Sequence, residues 1–204
     1  KYNYIREIER GGRVPQLPND SPFATIAANG PLSRSVRDSA AMLTVLARPD
    51  GPAVAVLDIG GWDTHANQAA PNGPLVRQLR QLDASLAALH EGLATNQAWR
   101  RTVVLVATEF GRQVAINGTM GTDHGSGGAA FVLGGAVRGG RVLADWPGLA
   151  ERERFEGRDL RTTTDLRSVL RTVLHQHLQV PRTALDRSVL PGSAALPMPE
   201  LLRS

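Results

Sequence analysis

Two short, almost unbroken apolar runs, Ala53–Leu57 (AVAVL) and Thr102–Ala107 (TVVLVA), constrain this chain more than any other feature. Each is too short for a helix, rich in valine and followed by polar or glycine residues. Each therefore predicts a strand buried on both faces. Between them, Leu75, Leu79, Leu82, Leu86, Leu89 and Leu93 fall on one stripe and predict a helix over 75–93. Ala129–Leu133 (AAFVL) predicts a third strand. Leu32, Val36, Ala40, Leu43 and Ala47 recur at helical spacing and are stopped by Pro49-Asp50-Gly51. A last helix runs from the Thr162–Thr164 region to about Leu178, with Thr162-x-x-Asp165 as its capping arrangement. Strands alternating with helices predict an α/β fold: a largely parallel sheet with helices on both faces. Residues 1–31 read as an irregular segment, 32–190 as the α/β domain and 191–204 as a Pro-rich tail.

Composition narrows the functional classes. With an aromatic fraction of 4%, the core must be built from aliphatic residues and alanine. The net charge of +4 comes from arginines interleaved with Asp and Glu, which is no nucleic-acid footprint. No apolar run reaches the length of a membrane span. The chain has no cysteine, so thiolate chemistry, disulfides and Cys-based zinc sites are excluded together.

In open α/β sheets, ligands bind beyond the carboxyl ends of the strands. There the first run leads into Asp63 and His65, and the second into Glu109. Asp123 and His124 stand just ahead of the third strand. Carboxylates with imidazoles suit a divalent metal ion, zinc, manganese or iron, with zinc or manganese preferred; such an ion polarises a phosphoryl or sulfuryl oxygen or makes a nucleophile at neutral pH. Each residue also has a plainer reading. Asp63 in GGWDT can form an Asx-turn, and Glu109 can pair with Arg112. Asp123-His124 can belong to an ordinary glycine-rich loop. His90 reads as a surface residue of helix 75–93, and His175 and His177, two apart on a helix, make a poor chelate.

Four motifs taken together carry a resemblance. They are Gly60-Gly61-Trp62-Asp63-Thr64-His65, Thr108-Glu109-Phe110-Gly111-Arg112, Gly121-Thr122-Asp123-His124-Gly125 and Thr163-Thr164-Asp165-Leu166-Arg167. In this order, over about residues 30–180, they resemble a bacterial family of unknown function, usually exported by the twin-arginine route and often labelled sulfatase-like. That family in turn resembles the alkaline phosphatase and sulfatase superfamily. The resemblance implies an alkaline-phosphatase-like fold, a periplasmic or exported protein, and a metal-dependent hydrolase of phosphate or sulfate esters. Its substrate would be a small anionic ester.

Two registers fit that superfamily's two-metal site. In one, Asp123-His124-Gly125 is its Asp-His-Gly pair. In the other, which we prefer, Glu109-Phe110 takes that place and His124 is the distant histidine. The preferred register implies that Asp63, His65 and His124 bind one metal and that Glu109 binds a second or braces the first. Asp123 is then a ligand or orients a histidine, and Arg112 binds a substrate oxygen. Phe110 stands where the superfamily has a ligand, and Asp63-Thr64-His65 is tighter than its usual spacing. The superfamily's nucleophile strand is not recognisable. Because the chain opens at Lys1 without methionine, an N-terminal portion is expected to be missing. A non-catalytic binding or structural protein on the same scaffold is the first alternative, and a hydrolase using one metal and activated water, with no protein nucleophile, is the second.

Overall fold

The leucine stripe specifies helix α1, Pro74–Ala94, in the computed structural model, which describes residues 53–57, 59–95 and 97–203. Pro74 stands at the first helical position, where its fixed φ suits the helix and its missing N–H costs nothing. Leu89 and Leu93 are buried, each contributing about 1.5–3 kcal/mol by leaving water. Ser85 continues the buried line one turn earlier and satisfies its hydroxyl on the Gln81 carbonyl at 2.8 Å. Leu79, a member of the predicted stripe, is half exposed. The helix expected over 32–47 and the irregular segment over 1–31 lie outside the described residues.

The chain divides into two compact units. One holds the chain up to Asp63 together with Arg77–Trp99, and the other holds Thr64–Val76 with Arg100–Ser204. In the first unit, the His90 ring meets Trp99 edge-on, with centroids 4.9 Å apart. No helix among the described residues is long and apolar enough to cross a membrane.

The second unit corrects the expected sheet. Strand β1 is Val104–Val106, β2 is Gly111–Arg112, β3 is His124–Gly125 and β4 is Phe131–Leu133. Among the described residues they form two antiparallel two-stranded ladders, β1 with β4 and β2 with β3. Among these residues there is no large parallel sheet covered by helices on both faces. Ala53–Leu57, expected to be a strand, is irregular, and Val56 is 68% exposed.

The physical reason is the connection. Parallel neighbours need a long crossover, usually helical. Here the chain between β1 and β4 folds back on itself through β2 and β3, so β4 returns antiparallel. The register pairs Val104 with Leu133 and Val106 with Phe131. Gly134, at φ 129, ends the ladder where a Cβ would stand 2.1 Å from the Thr102 carbonyl oxygen.

Helix α2, Leu166–Thr172, is capped by Asp165, whose carboxylate accepts from the Arg167 backbone N–H at 2.9 Å. The cap is therefore Asp165, three residues later than the expected Thr162. Its carboxylate also takes the Arg167 guanidinium at 2.6 Å, which holds it in place. The helix continues as a π-helical turn, Val173–His177. Helix α3, Arg182–Ala184, likewise runs into the π-helical turn Leu185–Val189.

The core of this unit mixes apolar and polar groups. Leu185, Val180, Val137 and Leu201 are buried beside Thr172, Ser193 and Arg171. Arg171 pairs with Asp186 and donates to Ser193 Oγ at 3.0 Å. The final segment returns to this core: Leu202 bridges Val137, and Arg138 N donates to the Leu201 carbonyl at 2.8 Å.

Candidate metal centre

Two loops of the second unit carry the histidines of the site, and Asp63 is the last residue before that unit begins. The first presents His65 and the second presents Asp123 and His124. Backbone bonds hold them together: Asn67 N donates to Thr119 O and Gln68 N to Met120 O, both at 2.9 Å. Thr64 and Thr122, the residues just before His65 and Asp123, are buried. Both hydroxyls donate to the same acceptor, Gln68 Oε1, at 3.0 and 2.9 Å. The backbones pass so closely that a Cβ on Gly121 would stand 2.2 Å from the His65 carbonyl group. Strand β3 then fixes His124 through its pairing with Arg112 in β2.

The two imidazoles face each other, with His65 Nε2 3.2 Å from His124 Nε2. Two nitrogens on one tetrahedral zinc at about 2.0–2.1 Å are separated by about 3.3 Å along the edge of the tetrahedron. The observed spacing is close to that edge. Asp63 directly precedes Thr64, so its position is tied covalently to the His65 loop. Asp63, His65 and His124 each offer one ligand atom, and these atoms lie within 4.8 Å of one another. All three residues are exposed. A hard–borderline donor set of one carboxylate and two imidazoles fits a divalent cation with coordination positions left open.

Asp123 plays a different part. Its Oδ1 accepts from His65 Nδ1 at 3.3 Å. A carboxylate on Nδ1–H leaves the Nε2 lone pair directed at the place a metal would occupy, as in many histidine metal sites. Asn117 Nδ2 donates to the same Oδ1 at 3.0 Å. That bond first, and the bond from His65 second, hold the Asp123 carboxyl below its ordinary pKa, so it accepts as a carboxylate.

The other expected site residues lie elsewhere. Strand β1 ends at Val106, and Glu109 follows in an exposed bend, outside the group formed by Asp63, His65 and His124. Phe110 packs its ring against His124, with centroids 4.3 Å apart, and thereby limits the rotation of that imidazole. Arg112 donates from Nη1 to the Thr122 carbonyl at 2.8 Å, and its guanidinium carbon lies 5.4 Å from the Phe110 ring centroid. It thus ties β2 to the loop bearing Asp123. Asn117 and Gln68 were not expected from sequence. Asn117-Gly118 is a turn signal, but nothing local tells where its amide points.

Among the described residues are helices and short antiparallel ladders, with a carboxylate–imidazole cluster on loops. The chain belongs to the family described as a protein of unknown function (DUF1501), which it matches over residues 22–189. This corrects the expected place in the alkaline phosphatase and sulfatase superfamily: the match is to DUF1501, with no sulfatase or alkaline phosphatase family found. No curated protein and no solved structure matches it.

Proposed function

We propose that Asp63, His65 and His124 bind one divalent ion, zinc or manganese, and that the site hydrolyses a small phosphate or sulfate ester. The observation that carries the reading is the 3.2 Å approach of the two Nε2 atoms, which matches adjacent donors on one ion. Three protein ligands with solvent on the open side suit a catalytic rather than a closed structural site. The ion would supply Lewis acidity and a nucleophile at neutral pH.

The protein's own groups do the rest. Asp123 keeps the His65 proton on Nδ1 and leaves Nε2 for the ion. Phe110 holds the His124 ring in place. Arg112 brings a positive charge beside Phe110, and its planar fork of N–H donors suits two oxygens of an ester anion. Exposure of the cluster admits a soluble substrate without a preceding opening step.

The same 3.2 Å spacing also fits an Nε2–H···Nε2 hydrogen bond between the two imidazoles. That favours a second reading, in which the pair ties the loops together and the protein is non-catalytic. Metal analysis and calorimetry with zinc and manganese separate the two, followed by turnover assays on aryl phosphate and aryl sulfate esters. The hydrolytic reading expects one ion per chain and turnover lost in His65→Ala and His124→Ala. A protein that binds neither ion has the second function.

A further inference from the structure

Asn117 sits where both loops meet, and its side-chain amide is fully used. Its Oδ1 accepts from Thr119 N at 3.1 Å and Gly121 N at 2.9 Å, which fixes the oxygen on that side. The two hydrogens of Nδ2 then point the other way, one to the His65 carbonyl at 3.1 Å and one to Asp123 Oδ1 at 3.0 Å. Thr119 Oγ1 adds a second hold on the His65 carbonyl at 2.6 Å. One amide therefore clamps the backbone of His65 and the carboxylate that meets the His65 ring.

We propose that Asn117 is the positioning residue of this site: through Asp123 it sets which ring nitrogen of His65 carries the proton. The assignment rests on reading His65 as a metal ligand. A histidine free in water prefers its proton on Nε2, which would block that nitrogen as a ligand. A fixed acceptor beside Nδ1 reverses the preference. Asp123 is exposed and has rotamers that turn it away, so an acceptor held in place needs a second anchor. Asn117 is that anchor, because Nδ2 fixes the same oxygen that His65 Nδ1 reaches. The His65 carbonyl bond fixes the other end, so backbone and carboxylate keep their spacing as one piece.

The acceptor half of Asn117 makes a turn and the donor half makes the clamp, and the two can be separated. Asn117→Ser keeps a side-chain oxygen for the turn and is too short to reach Asp123 and His65 together. Asn117→Ala removes both halves. The readout is the neutral tautomer of His65 in the metal-free full chain, by long-range proton–nitrogen NMR at about pH 8, above the ordinary imidazole range. His175, whose Nδ1–H donates to the Val180 carbonyl at 2.9 Å, serves as an internal mark of an intact fold.

Wild type is expected to show His65 as Nδ1–H. Both variants are expected to shift it toward Nε2–H with His175 unchanged, and to weaken zinc binding by roughly 10–100-fold. His65 remaining Nδ1–H in Asn117→Ser, or lacking that form in wild type, overturns the assignment. If wild type shows Nδ1–H, both variants lose it and no zinc binds, the metal reading falls while the role of Asn117 stands.

Discussion

Gly121 lies flush against the backbone of His65, with no space for a Cβ between them: an added carbon would stand 2.2 Å from both the carbonyl carbon and its oxygen. The partner atoms are main chain, so no side chain can swing aside. Gly121→Ala must push the two loops apart. The expected cost is about 1–3 kcal/mol of stability, in line with overpacking elsewhere in proteins. Zinc affinity should fall as well, because the displaced loop carries His65. Urea unfolding and zinc calorimetry on one preparation test this. An alanine variant with wild-type values for both would show that the loops can separate freely.

His124→Ala and Asp123→Asn should differ in kind. The first removes an imidazole from the cluster, and no cysteine is available to replace it. Stoichiometric zinc binding should be lost. The second removes only the charge behind His65 Nδ1, so affinity should drop by roughly 10–100-fold. Both side chains are exposed, so thermal unfolding of the metal-free proteins should change little. Equal losses from the two substitutions would make Asp123 a direct ligand.

Arg171 is buried, with its charge matched by Asp186 and one hydrogen bond to Ser193. Its Nε is also buried, without a hydrogen-bond partner. Asp186→Ala leaves that charge uncompensated and should cost about 3 kcal/mol. Replacing both partners, Arg171→Met with Asp186→Leu, removes the charge and its unsatisfied nitrogen together. The double variant should be markedly more stable than Asp186→Ala. Denaturant midpoints for the three proteins decide it, and a double variant weaker than the single one would count against this account.

Asp159 is buried and its carboxyl is held below the ordinary aspartate value, chiefly by hydrogen bonds from Arg158 at 2.7 Å, then from Ser126 at 2.9 Å. The folded value lies below the unfolded one. The group therefore stabilises the fold above the ordinary aspartate range and loses that contribution as pH falls through it. Asp159→Asn should be less thermostable than wild type near neutrality. The gap should narrow as pH drops from about 5 toward 2. Melting temperatures across that window provide the check, and a constant gap would assign the difference to packing alone.

Part of this structure is legible in the sequence. The leucine spacing placed α1 to within a residue of Pro74–Ala94, because a long amphipathic period has few competing explanations. Asp63, His65 and His124 were singled out by type and spacing, and their ligand atoms converge. Strand direction was not legible. TVVLVA and AAFVL look alike whether neighbours run parallel or antiparallel, and the deciding feature is how the intervening loops fold back. Glu109 was carried along by that same expectation, because a strand continuing to 107 would have delivered it where the shorter β1 does not. Asn117 escaped notice for a related reason. Its value comes from partners at His65 and Asp123, which sequence spacing does not join.

The two facing imidazoles are 59 positions apart along the chain. Joining the ends of a flexible loop that long costs about 3.6 kcal/mol of chain entropy beyond a constant term. Backbone bonds from Asn67 to Thr119 and from Gln68 to Met120 already close that loop. An ion that binds only the closed form would act as a clasp on an already fastened loop. Each tenfold rise in its free concentration above the dissociation constant would then deepen the folded well by about 1.4 kcal/mol. The persistence of the fold would thus track the metal supply of whatever compartment the chain inhabits.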